Sequence, residues 1–263
     1  MFDAMIGFDA GDEWTGIHLH SAKQSYAEGL DPGAIKGMKI GIIQSLFGSD
    51  SDPHSAAVNK VARRAIEQLK ENGTTFVDVE LEKLDHYMST TSTYLQRSRM
   101  DINSFLAAKP HMPQDIADIV QPSFIEDRPF LDLTNGVARG PQDPTEDAAY
   151  AKKLDDREEF VRRLSCLMFS QQLDALVFPD VQVPPPKHED ATNGRFKEAW
   201  DFPVNTLLAS QARWPAVSIP AGFTDDGLPV GMEFVSWELQ EKKLLQIAKG
   251  VEAVLNARRA PNL

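Results

Sequence analysis

Trp214-Pro215-Ala216-Val217-Ser218-Ile219-Pro220-Ala221-Gly222 is followed, four residues on, by Gly227-Leu228-Pro229-Val230-Gly231-Met232-Glu233-Phe234. Two short apolar runs flank Asp225-Asp226-Gly227, a pattern that predicts strands over Ala216 to Ile219 and Val230 to Val235 joined as a hairpin. Pro215 and Pro220 bracket the first run, which suits a strand that donates few ladder hydrogen bonds. Gly227 permits the tight turn, and Gly231 permits close approach of another backbone or side chain.

Outward from this hairpin, Asp174-Ala175-Leu176-Val177-Phe178 reads as a short buried strand ended by Pro179. Met38-Lys39-Ile40-Gly41-Ile42-Ile43 reads the same way. Val58, Val61, Ala62, Ala65, Ile66 and Leu69 then recur at helical spacing, with Ser55 as the expected N-cap and Asn72-Gly73 as the stop. Val77, Val79 and Leu81 alternate with Asp78 and Glu80, as in a half-exposed strand. Strand, helix and strand in this order predict a parallel pair. Leu244, Ala248, Val251 and Leu255 mark a final amphipathic helix. The fold class expected is α/β, with a mixed, largely parallel sheet flanked by helices.

Between these elements the reading is coarser. Residues 1–37 give no convincing element, Leu84 to Ala108 can be helical, and Pro110, Pro113, Pro122 and Pro129 then punctuate the chain. A helix is expected from Thr145 to about Gln172, with Glu158/Arg162 and Glu159/Arg163 at supportive spacing on a solvated face. Pro184-Pro185-Pro186 and the polar run through Gly194 form a long loop, and residues 199–212 are expected to be helical.

The 263 residues are 42% hydrophobic and 25% charged, sufficient for a core without disulfides or metal. A net charge of −12 argues against nucleic acid, whose phosphates are held by Lys and Arg. No stretch reaches the roughly 20 apolar residues of a membrane span, and Met1 to Gly16 lacks a signal-peptide pattern. With one cysteine, Cys166, the expectation is a soluble cytoplasmic protein.

Reactive motifs are scarce. The sequence has no Gly-x-Ser-x-Gly elbow, Walker loop, dinucleotide fingerprint or zinc spacing, so no cofactor and no metal are expected. His18 and His20 lack a third ligand, and His188-Glu189-Asp190 reads as a solvated polar loop. Cys166, beside Leu164, Leu167 and Met168, is expected to be an inert buried thiol. These readings stop at an α/β domain without a visible active site.

The Trp214–Gly222 and Gly227–Phe234 stretches resemble the amidase signature family, which carries Pro-Ala-hydrophobic-Ser-hydrophobic-Pro-x-Gly followed by Gly-Leu-Pro-hydrophobic-Gly. Asp174–Pro179 is similar to the family's Asp-x-Leu-hydrophobic-x-Pro strand, Lys36–Gly41 to an earlier strand, Ile6–Asp12 to a Gly-x-Asp-x-x-Asp turn and Glu241–Glu252 to its C-terminal helix. Ser210 and Arg213 depart from the Asn and Gly usual before the Pro-Ala, and Asp201 is out of register with a substrate-binding acid of the amidotransferase branch.

The resemblance implies hydrolysis of a carboxamide to a carboxylate and ammonia or an amine. It also implies a Lys and two Ser residues in a Gly-Ser-Ser-Gly-Gly setting upstream of the Gly-x-Asp-x-x-Asp turn. No two glycines and no two serines are adjacent here. Residues 1–263 are therefore expected to be a single incomplete domain, the C-terminal part of an amidase, inactive alone and with no catalytic residues of its own. Asp180, Val183, Pro184, Trp200, Asp201 and Phe202 would line the pocket. The partners implied are a small amide substrate in the full-length parent, and an N-terminal amidase half or a second copy of the chain. The alternative is a non-catalytic partner or ligand-binding subunit that completes a split amidase or amidotransferase. A third reading, an improvised Ser/Lys or His/Asp site, requires a nucleophile within reach of a base.

Overall fold

The computed structural model describes residues 2–20, 25–120, 132–196 and 202–260. The strands are β1 (Lys39–Ile43), β2 (Thr75–Val79), β3 (Ala175–Pro179), β4 (Ala216–Phe223) and β5 (Pro229–Val235). The α-helices of six or more residues are α1 (Pro53–Glu71), α2 (Leu84–Thr90), α3 (Tyr94–Ala107), α4 (Asp132–Ala138), α5 (Tyr150–Ser170), α6 (His188–Asn193), α7 (Leu207–Ala212) and α8 (Glu241–Leu255). The chain divides into two compact units.

The first unit takes residues 1–80, 165–184 and 213–263 and contains the whole sheet, in the order β2-β1-β3-β5-β4. β1 runs parallel to β2 and to β3, whereas β5 runs antiparallel to β3 and to β4. The sheet is mixed, as expected, with parallel and antiparallel pairings equal in number. A hairpin can only be antiparallel, and inserting β5 beside β3 makes a second antiparallel pairing.

β4 lies at the edge, where the missing N–H of Pro220 is tolerated, and Gly227 closes the turn at φ 81°. α1 and α8 pack on the sheet and on each other. α1 buries Val58, Val61, Ala62, Ala65, Ile66 and Leu69, the stripe read from the sequence. Its N-cap is Asp52 rather than Ser55: the Asp52 carboxylate accepts the His54 N–H at 3.0 Å, and Pro53 occupies the first turn. α8 buries Leu244, Ile247 and Val251, and Gly250 lets Ile35 approach where a Cβ would stand 2.6 Å from the Ile35 Cβ.

The second unit takes residues 81–164 and 185–212 and is helical. Leu84 to Ala108 forms two helices rather than one. Polar bonds hold the break: Arg157 Nη2 donates to the Thr91 carbonyl at 3.0 Å, and Thr91 Oγ1 donates to Gln211 Oε1 at 2.7 Å. Tyr87 stacks on Phe160 with centroids 5.2 Å apart, and Arg99 forms a two-pronged pair with Asp115 at 2.8 and 3.2 Å. Along α5, whose residues from Ser165 onward belong to the first unit, Phe160, Leu164 and Met168 are buried at four-residue intervals. Cys166 lies off that stripe and is exposed, contrary to the expectation of a buried thiol. Glu159 and Arg163 pair as expected, at 2.8 Å. Among the described residues, no helix is long and apolar enough to cross a membrane.

Candidate functional site

The two ends of β3 carry the polar chemistry of the first unit. Asp174 enters the strand, and its carboxylate accepts the Lys39 N–H at 2.9 Å and pairs with Lys243 Nζ at 2.6 Å. Asp180 leaves it, and its amide donates to the Gly231 carbonyl at 3.1 Å, extending the β3–β5 pairing by one residue.

Register then decides what surrounds Asp180. Ser218 on β4 lies opposite Glu233 on β5, and Glu233 lies opposite Phe178 on β3. Cross-strand partners share a face, so Ser218, Glu233 and Phe178 project together, with Asp180 two residues beyond Phe178 on the same side. The Ser218 hydroxyl donates to Asp180 Oδ2. The carboxyl fits over β5 because residue 231 is glycine. A Cβ there would stand 3.0 Å from Asp180 Cγ and 3.1 Å from Ser218 Oγ.

Glu233 is buried at 4% exposure. Its Oε1 and the Oδ1 of Asp180 are both buried without a hydrogen-bond partner. Burial pushes the Glu233 carboxyl up to about 7, and the Asp180 charge adds to the effect. Burial also raises Asp180, against the opposing pull of the Ser218 hydroxyl. The cluster is thus a pair of acids that compete to stay protonated, with a serine at its mouth. Ser218 is exposed and its hydroxyl donates to a carboxylate, a weak base, so the cluster lacks the strong base that activates a serine for attack.

The residues singled out in the sequence fall in different units. Asp180 lies in the cluster, Val183 is buried at 3% and Pro184 is half-buried, all in the first unit. Phe202 belongs to the second unit, where its ring meets Phe196 edge-on at 5.4 Å. Trp200 and Asp201 lie outside the described residues. His188, Glu189 and Asp190 are exposed on α6, and no group of three or more His, Cys, Asp or Glu able to hold a metal exists among the described residues. Ser218 and Glu233 were missed as site residues. Glu233 had a signal, a charged residue inside the apolar run Met232 to Val235; Ser218 had only its register.

Comparison with known proteins places this geometry in context. The sequence matches the Amidase family over residues 2–245. It is 27% identical over 259 residues to the A subunit of glutamyl-tRNA(Gln) amidotransferase from Chlorobium phaeobacteroides, covering 94% of this chain and 52% of that protein. Against the corresponding protein of a Synechococcus strain the identity is 29%, covering 86% of this chain and 46% of that protein. The chain spans about half the length of the curated relatives it matches. In structure it is similar to native peptide amidase from Stenotrophomonas maltophilia, with a TM-score of 0.76 at 24% identity over 97% of this chain and 50% of that one. With the match extending across both hairpin strands and the end of β3, the chain belongs to the Amidase family.

Proposed function

We propose that this chain supplies the C-terminal, ligand-lining part of an amide-cleaving enzyme and leaves bond cleavage to residues outside it. One observation carries the reading: the family match covers residues 2–245, yet the sequence has no adjacent serines or glycines from which the Gly-Ser-Ser-Gly-Gly setting could be built. The acid cluster at the end of β3 supports it, because its serine faces a carboxylate rather than an amine. On this reading residues 1–263 act as one incomplete domain. Asp180, Val183 and Pro184 contribute to the pocket wall, with Trp200, Asp201 and Phe202 as its further members, and the substrate is a small carboxamide. The single cysteine favours a reducing, cytoplasmic setting.

A second reading has support in the relatives' names. Several are A subunits of an amidotransferase, proteins named as part of an assembly. In that reading the chain is a non-catalytic or ligand-binding component completed by a separate N-terminal half.

Ammonia release from glutamine and from a peptide C-terminal amide tests both. The 263-residue chain alone should release none, and activity should appear only with a polypeptide carrying the Lys and paired Ser residues. Turnover by the chain alone, abolished by Ser218→Ala, would overturn the proposal. Intact mass of the protein from its native source separates one long polypeptide from two associated ones.

A further inference from the structure

The four Lys and Arg side chains along α1 are not treated alike. Lys60 pairs with Asp225, Arg63 with Asp50 and Lys70 with Glu67, each at 2.8 Å. Arg64 makes no ion pair or side-chain hydrogen bond among the described residues. It stands instead on the wall of a surface groove of about 420 Å³, within the size range of small-ligand sites. Lys60, Arg64 and Gln68, four residues apart on one face of α1, form that wall. β4 and the turn after it form the other, and Val61, Ala221, Phe223 and Leu255 give the groove an apolar lining. β4 enters it through a bulge: pairing passes from Pro220 with Gly231 to Gly222 with Val230 and leaves Ala221 unpaired. The Arg259 guanidinium lies over the Phe223 ring, 3.5 Å from its centroid. Lys60, Arg64 and Arg259 thus outnumber Asp225 and Asp226 here, in a chain whose net charge is −12.

We propose that this groove binds a small monocarboxylate with an apolar body, the carboxylate on Arg64 and Gln68 and the body against Val61, Ala221 and Phe223. A guanidinium presents paired N–H donors that match the two oxygens of a carboxylate, and Arg64 has its donors to spare. Lys60 takes a smaller part, because both oxygens of Asp225 already hold its ammonium. A dianion such as phosphate fits less well: it has no apolar part to cover the lining, and Asp225 and Asp226 repel its second charge. None of Asp180, Ser218 and Glu233 lines the groove, so the inference does not rest on the hydrolytic reading, and failure of one leaves the other standing.

Sodium benzoate titrated into the full chain, at ionic strength matched with sodium chloride and followed by backbone-amide NMR shifts, tests it. The groove predicts saturable one-to-one binding with a Kd of about 10 mM or lower. The shifts should centre on Ala57 to Gln68 and on Ala221 to Asp226. Benzamide, which has the same ring and no charge, should bind at least about tenfold more weakly, a comparison that needs no variant to fold. Arg64→Met should weaken benzoate at least about tenfold. Arg63→Met removes the same charge from the neighbouring residue, which does not line the groove, and should change the affinity by less than about twofold. Both arginines are exposed, so neither change disturbs the core. Equal binding of benzoate and benzamide, equal losses in the two arginine variants, no saturation, or shifts confined to other parts of the chain would overturn the proposal. Inorganic phosphate that displaces benzoate at equal or lower concentration would overturn it in favour of a general anion site.

Discussion

β3 is five residues long and has an aspartate beyond its first end and another beyond its last, and the two meet opposite fates. Asp174 has each oxygen occupied, one by the Lys39 N–H and the other by Lys243, and its carbonyl accepts the Ser236 hydroxyl at 3.2 Å. It fastens β1, β5 and α8 to the start of the strand. Asp180 has one oxygen occupied by Ser218 and one unfilled, and it faces a second acid rather than a base. One carboxylate is satisfied by the fold; the other is held in position with one oxygen unfilled. Identical chemistry is therefore satisfied at one end of the strand and left with an unfilled acceptor at the other, and the neighbouring groups decide which.

The comparison can be broken most severely at Gly231. Gly231→Ala drives a methyl group into the Asp180 carboxyl and should cost about 3 kcal/mol in urea denaturation, from overpacking. Adding Asp180→Ala should recover most of that loss, because the clash requires both groups. Full additivity of the two changes would show that the carboxyl is not seated over residue 231. At the other end, Asp174→Ala removes the acceptor of a backbone N–H and the partner of Lys243 together. A loss of about 2 kcal/mol is expected.

Glu233→Gln should act in the opposite direction and only at higher pH. Below the ordinary value of 4.5, folded and unfolded chains both carry the proton and ionisation contributes nothing. As pH rises from 4.5 to about 7, the unfolded chain releases the proton while the folded chain keeps it, so the unmodified protein loses stability across that window. Above it the loss is complete. The glutamine variant should therefore be more stable than its parent by about 1–2 kcal/mol at pH 8, allowing for water at the open side of β4, with the gap shrinking towards pH 5. A constant difference across this range would mean that Glu233 titrates as an ordinary carboxylate.

Much of the sheet was legible because side-chain period and burial coincide. The hairpin, β1, the α1 stripe and α8 all carry a local pattern that packing then enforces. Where packing decides alone, reading fails. Thr91 to Thr93 interrupt an otherwise helical run through bonds to Arg157 and Gln211, residues more than sixty positions away. The start of α1 moved to Asp52 because Pro53 is best placed in the first turn. Cys166 was set among apolar neighbours in sequence, but the α5 stripe of Phe160, Leu164 and Met168 turns it outward. In the site, Asp180 could be named from its place at a strand end. Ser218 could not, since its meeting with Asp180 depends on the β4–β5 register and on the order of strands in the sheet.

The most direct test of the account is an NMR titration of the carboxyl carbon of Glu233 in the folded chain. The account predicts that Glu233 titrates near 7, and that Asp180→Asn lowers its midpoint by removing the neighbouring charge. A Glu233 midpoint close to 4.5, unmoved by that substitution, would contradict the claim that this end of β3 is an unsatisfied acid pair.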